Sequence, residues 1–75
     1  MIDYRHEFIA MATIVINYDL SLHNIVVTES EVAEYLRYFE TTHNTTDKFV
    51  TEVEEYLMYC YREETNIGFK QYSEM

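Results

Sequence analysis

The sequence predicts an all-α domain, a small compact bundle of three main helices with short extra turns. Three observations lead there. A single glycine, Gly68, and no proline leave little with which to make the many tight turns of a barrel or sandwich. Apolar residues recur at three- and four-residue steps in three separate stretches. The third observation is local: Thr28-Glu29-Ser30-Glu31 carries the signature of a helix start. The chain reads as one domain, residues 1–75, with helices at about 3–18, 28–43 and 46–64.

The first helix is the organising element. Phe8 to Ile16 is apolar at every position except Thr13. A helix apolar nearly all round must be covered on more than one side. A chain of this length buries only about 60% of its unfolded surface, so it has little of its own to cover two sides with. Asp3 is placed to cap the start, and Glu7 sets a negative charge near the positive end of the helix. One face carries Tyr4, Glu7, Met11, Ile14, Val15 and Tyr18; the other carries Phe8, Ile9, Ala12 and Ile16. One is assigned to the protein's own core and the first-named to a partner. A rival is a hairpin that pairs the β-branched run Thr13–Ile16 with His23–Thr28 across 19–22, though that loop lacks the glycine such turns favour.

Residues 19–27 form a connector. Asp19-Leu20-Ser21 can cap a short turn, and Ile25-Val26-Val27 is expected to pack inward. The second helix opens on a capping box, Thr28 with Glu31, flanked by the staple pair Val27 and Val32. Its inner face is Val32, Tyr35, Leu36 and Phe39, and Glu34 and Arg37 can pair outside. It runs out in Thr41-Thr42-His43-Asn44. The third helix starts near Thr45 to Asp47, with an apolar face of Phe49, Val50, Val53, Tyr56, Leu57, Cys60 and Tyr61 and with Glu52, Glu54 and Glu55 outward. It should stop between Glu64 and Gly68, where Asn66 or Gly68 can turn left-handed. Phe69 and Tyr72 in the tail either fold back or stay exposed.

Charge bounds the function. Fourteen acidic residues face five basic ones, a net of −9. Phosphate backbones are held mainly by Lys and Arg, which argues against direct binding of nucleic acid. An acidic surface suits a basic partner, such as the DNA-reading face of another protein. It also suits a solvated acidic domain with no partner. The apolar run is too short to span a membrane. Ala10-Met11-Ala12 has the look of a signal-cleavage triplet, but it lies inside the apolar run behind an acidic leader. One unpaired cysteine fits a reducing cytoplasm.

Catalysis and cofactors find little support. His6, His23 and His43 lack the spacing of a metal site, and no paired cysteines supplement them. Cys60 falls on an apolar face without a basic neighbour to activate it. Glu54 and Glu55 are adjacent and therefore diverge on a helix, a poor acid–base pair. The lone glycine cannot build a phosphate cradle. Of eight tyrosines, Tyr35, Tyr56 and Tyr61 have a core explanation, whereas Tyr4, Tyr18, Tyr38 and Tyr59 fall off the core faces. Tyrosine is favoured at interfaces, and half-exposed surface tyrosines are equally ordinary.

Along the first helix, Ile2-Asp3, Glu7, Ile9, Ala12, Thr13, Ile14, Ile16 and the aromatic Tyr18 follow without a gap the pattern of the phage anti-sigma-70 proteins of the AsiA type, which this chain resembles. Ile25-Val26 and Tyr35-Leu36 keep that family's internal spacing past a slightly longer connector. The resemblance covers about residues 2–40; many matches are apolar for apolar, the third helix is similar in kind only, and the C-terminal end is shorter. It implies a small helical phage regulator, cytoplasmic in the infected host, that is a homodimer through its first helix when free. It further implies that this face exchanges its twin for the promoter-reading region of the host's primary sigma factor, blocking −35 recognition and redirecting RNA polymerase in host takeover. The family's contact positions fall on Glu7, Met11, Ile14, Val15 and Tyr18, on the face that periodicity leaves over together with Tyr4. Glu7 would meet a basic group on sigma. The family's C-terminal part contacts a co-activator, a role the departures after residue 40 leave open. The alternative from charge is an acidic DNA mimic that inhibits a host defence nuclease or another DNA-binding protein, with the first helix as core or dimer seam. An enzyme is the third and least supported reading.

Overall fold

The β-branched run Thr13–Ile16 is helical from end to end. In the structure, a computed structural model that describes residues 4–75, it lies inside α1 (Tyr4–Asp19), and the hairpin alternative is thereby corrected. A 3-10 turn (Ser21–His23), α2 (Glu29–Thr42), α3 (Phe49–Glu63) and a short α4 (Phe69–Ser73) follow, with no strand among the described residues. The expected cap Asp3 lies outside the described residues.

Thr13 explains how so apolar a helix tolerates its one polar side chain. Its buried hydroxyl donates to the Ile9 carbonyl at 2.7 Å, so nothing is left unsatisfied. Ile9, Ala12 and Ile16, with Leu20 just beyond, form the buried stripe of α1. At the end of α1 the Ser21 hydroxyl donates to the Tyr18 carbonyl at 2.9 Å, and the 3-10 turn that follows is closed by Asn24 in the left-handed conformation at φ 58°. Asparagine tolerates that region better than most residues.

The α2 start forms as its sequence predicts. The Thr28 hydroxyl accepts from the Glu31 N–H at 3.2 Å, and the Glu31 carboxylate accepts from the Thr28 N–H at 2.9 Å. Two otherwise orphaned amides are satisfied at once. Val27 and Val32 are both buried, as the staple requires. The side chains of Arg5 and Glu40 pair across the outside and join the start of α1 to the end of α2. Asn17 meets Val27 at the other end, so the two helices run antiparallel. Glu34 and Arg37 form no ion pair among the described residues.

α3 begins later than expected, at Phe49. Thr45 and Asp47 are spent on a turn, in which the Thr45 hydroxyl accepts from the Asp47 N–H at 2.9 Å. Phe49 is fully buried and its ring meets Phe8 and Phe39, with centroids 5.8 and 5.4 Å away. Val53 and Tyr56 continue the buried row. Each large apolar side chain buried here contributes about 1.5–3 kcal/mol. The helix stops at Glu64, which takes the left-handed conformation (φ 52°) that the sequence assigned to Asn66 or Gly68. Gly68 is instead extended and precedes α4.

The tail folds back. Phe69 is buried, and its ring lies 5.3 Å from those of Tyr35 and Tyr56 and 5.9 Å from Tyr38. Tyr56 donates to the Ile67 carbonyl at 2.7 Å, and Tyr72 rests on Tyr56 and Tyr59. Tyr38 and Tyr59, which the sequence set apart from the core, are thus half-buried partners of the tail. The molecule measures 42 × 27 × 18 Å. A helix with its side chains is about 10–12 Å across, so a slab this thin leaves every helix a face toward solvent.

Candidate binding face

The inward row of α1 packs on α2 and α3, which turns the opposite row out. Tyr4, Glu7, Met11, Ile14, Val15 and Tyr18 are all exposed. Met11 is 66% exposed, Ile14 68% and Tyr18 79%, whereas Ala12 and Ile16 one or two positions away are buried. The six residues that periodicity placed on one face do lie on one face. They run for about 21 Å along the helix at 1.5 Å per residue. Monomeric proteins scatter single apolar side chains over their surface; a continuous row along one helix is the arrangement that marks a contact site.

Two further large apolar side chains are exposed beyond the helix. Leu22 is 91% exposed and Val26 76%. Val26 corrects the inward packing expected for Ile25-Val26-Val27: only Val27 is buried, with Ile25 half-buried. The cause is Asn17, whose side chain takes both backbone groups of Val27 and fixes which residue of the extended connector faces in. Tyr61, expected in the core, is half exposed, and its ring meets His23 with centroids 5.1 Å apart.

A second feature lies at the far end of α1. Asp19 and Leu20 face Thr51, Glu54, Glu55, Met58 and Arg62 of α3 and Tyr72 of α4 across a groove of about 700 Å³. Glu54 does not point outward as its helical position suggested. Its Oε2 is buried without a hydrogen-bond donor. Burial first, then the hydrogen bond and the charge of Asp19, raise the Glu54 carboxyl to about 7. Sequence reasoning missed this pairing because the two acids are far apart in the chain and each alone reads as surface.

The remaining polar groups have structural duties. Burial, and secondarily the Glu31 charge, raises Tyr35; burial, then Tyr35, pushes Tyr56 well above its ordinary range; burial, then Glu55, raises Tyr72. All three stay protonated, and Tyr56 donates to the Ile67 carbonyl. Cys60 is half-buried, and its thiol is directed at the Ile67 carbonyl 3.9 Å away. His43 stacks on Phe39 at 3.9 Å between centroids, with its Nδ1 near the Thr42 hydroxyl and the Phe39 carbonyl. Among the described residues no group of three or more His, Cys, Asp or Glu side chains is placed to hold a metal ion, and no helix is long and apolar enough to cross a membrane.

No family model, curated protein or solved structure matches this chain.

Proposed function

We propose that this protein is a binding protein of the anti-sigma type, acting through the exposed row of α1 on the promoter-reading region of a bacterial host's primary sigma factor. The observation that carries the reading is the outward display of Met11, Ile14, Val15 and Tyr18 on a helix whose other side is already committed to the core. Such a helix fits a hydrophobic groove, with its row of apolar side chains as anchors. A net charge of −9 favours a basic partner and speeds encounter with it. A promoter-reading surface is basic because it must hold phosphates. Glu7, exposed in the same row, is the charged member that would meet a basic side chain at the groove's rim. The resemblance over residues 2–40 supplies the specific partner and the consequence, inhibited or redirected transcription in the host cytoplasm.

In the unbound protein the same row meets a second copy. Tyr4, Glu7, Met11, Val15 and Tyr18 are spaced symmetrically about Met11, so the row can face itself across a two-fold axis. The competing DNA-mimic reading places its weight on the acids of α2 and α3. It is weakened at Glu54, which turns into the groove toward Asp19 instead of displaying its charge. Capture of partners from a bacterial lysate, identified by mass spectrometry, tests the proposal. Sigma factor or polymerase subunits are the expected catch, and recovery of a nuclease without them rejects it.

A further inference from the structure

The groove at the end of α1 is lined by two carboxyl groups, Asp19 and Glu54, neither of them in an ion pair among the described residues. Glu54 projects from the middle of α3, and its Oε2 is buried with no donor to satisfy it. Asp19 faces it from the last residue of α1, where the helix's own terminal carbonyls already make negative charge unwelcome. Other charged and titratable groups line the groove as well. Glu55 and Arg62 come from α3, and Tyr72 comes from α4. Arg62 forms no ion pair with either carboxyl among the described residues. Two carboxylates at such a contact cannot both ionise cheaply, whereas one proton between them converts repulsion into a hydrogen bond.

We propose that Asp19 and Glu54 form a shared-proton clamp that fastens the end of α1 to the middle of α3 in mild acid and loosens as the proton is lost. The raised Glu54 carboxyl, at about 7, agrees with this arrangement. The sign follows from proton linkage. Between the ordinary carboxylate range and about pH 7 the folded protein binds a proton that the unfolded chain has released, so this contribution to stability falls as pH rises through that window. Below the window both states are protonated and the clamp is fully made. Above it neither state holds the proton, and the repulsion persists. The clamp acts on the segment that follows Tyr18, so α1 is held most firmly in mild acid.

Glu54→Gln supplies the test, because its amide donates to Asp19 without titrating. Urea unfolding of both proteins is measured from about pH 5 to 8.5 at constant ionic strength. The folding equilibrium constant of the parent relative to Glu54→Gln is expected to fall about tenfold across the range, a figure discounted for the solvent that reaches the groove. A ratio that stays constant overturns the proposal. Carboxyl-carbon NMR of the unaltered protein gives a second reading that survives failure of the variant to fold. A Glu54 midpoint near neutrality that drops in Asp19→Asn supports the clamp. A midpoint in the ordinary carboxylate range, or one unmoved by Asp19→Asn, overturns it.

Discussion

Asn17 holds both backbone groups of Val27: its Oδ1 accepts the Val27 N–H at 2.8 Å, and its Nδ2 donates to the Val27 carbonyl at 3.1 Å. One side chain thereby does for the connector what a partner strand would do. It decides that Val27 points into the core and Val26 away from it. Removing it leaves two part-buried backbone groups unsatisfied, each worth about 1–3 kcal/mol. Asn17→Ala is therefore expected to lower stability by about 2 kcal/mol in urea unfolding. Asn17→Asp keeps the acceptor, loses the donor and should fall between the two.

The Thr28–Glu31 box makes α2 testable locally. Thr28→Ala removes the side-chain acceptor for the Glu31 N–H and should reduce stability by about 1 kcal/mol. Thr28→Ser retains the oxygen and should cost little. Equal losses from both substitutions, read from thermal midpoints, would show that the hydroxyl is not the source.

Glu64 sits at φ 52° without a glycine's freedom. The Thr65 N–H returns to the Cys60 carbonyl at 3.1 Å, which holds the turn in place. Glycine meets no Cβ penalty in that region, so Glu64→Gly is expected to stabilise the protein by about 0.5–1 kcal/mol. Thermal unfolding should rise by roughly 4–8 °C per kcal/mol in a domain of this size.

Phe69 anchors the tail among Tyr35, Tyr38 and Tyr56. Phe69→Ala removes a buried aromatic and should cost about 3–5 kcal/mol, a large share of the stability of so small a domain. Tyr56→Phe keeps the ring, loses the 2.7 Å bond to the Ile67 carbonyl and should cost about 1 kcal/mol. Near-UV circular dichroism of the tyrosine cluster distinguishes a detached α4 from global loss of structure.

What the sequence disclosed was local. The capping box of α2 is readable because both partners lie within one turn. The two faces of α1 are readable because helical periodicity alone separates Met11 and Ile14 from Ala12 and Ile16. The misread residues depend on contacts far apart in sequence. Tyr61 has the right spacing for the core, but its side of α3 is left to the His23 ring and solvent. Glu54 has an outward spacing, but the end of α1 lies across the groove from it and its Oε2 is buried. α3 stops within the expected stretch, but Glu64 takes the left-handed conformation in place of Asn66 or Gly68, whose conformational ease alone had singled them out. Val26 and Val27 are equivalent by composition, and only the Asn17 side chain chooses between them.

The contact surface proposed on α1 is tested directly by one NMR titration. Amide shifts of the isotope-labelled protein are followed as the promoter-reading region of a primary sigma factor is added, alongside the Met11→Asp, Val15→Asp double variant. Both substituted positions are exposed, so the variant should fold as the parent does. Shifts concentrated at Tyr4, Glu7, Met11, Ile14, Val15 and Tyr18 are expected, and none in the variant. Shifts gathered on the acids of α2 and α3, or no change at all with the folded parent, would contradict the proposal.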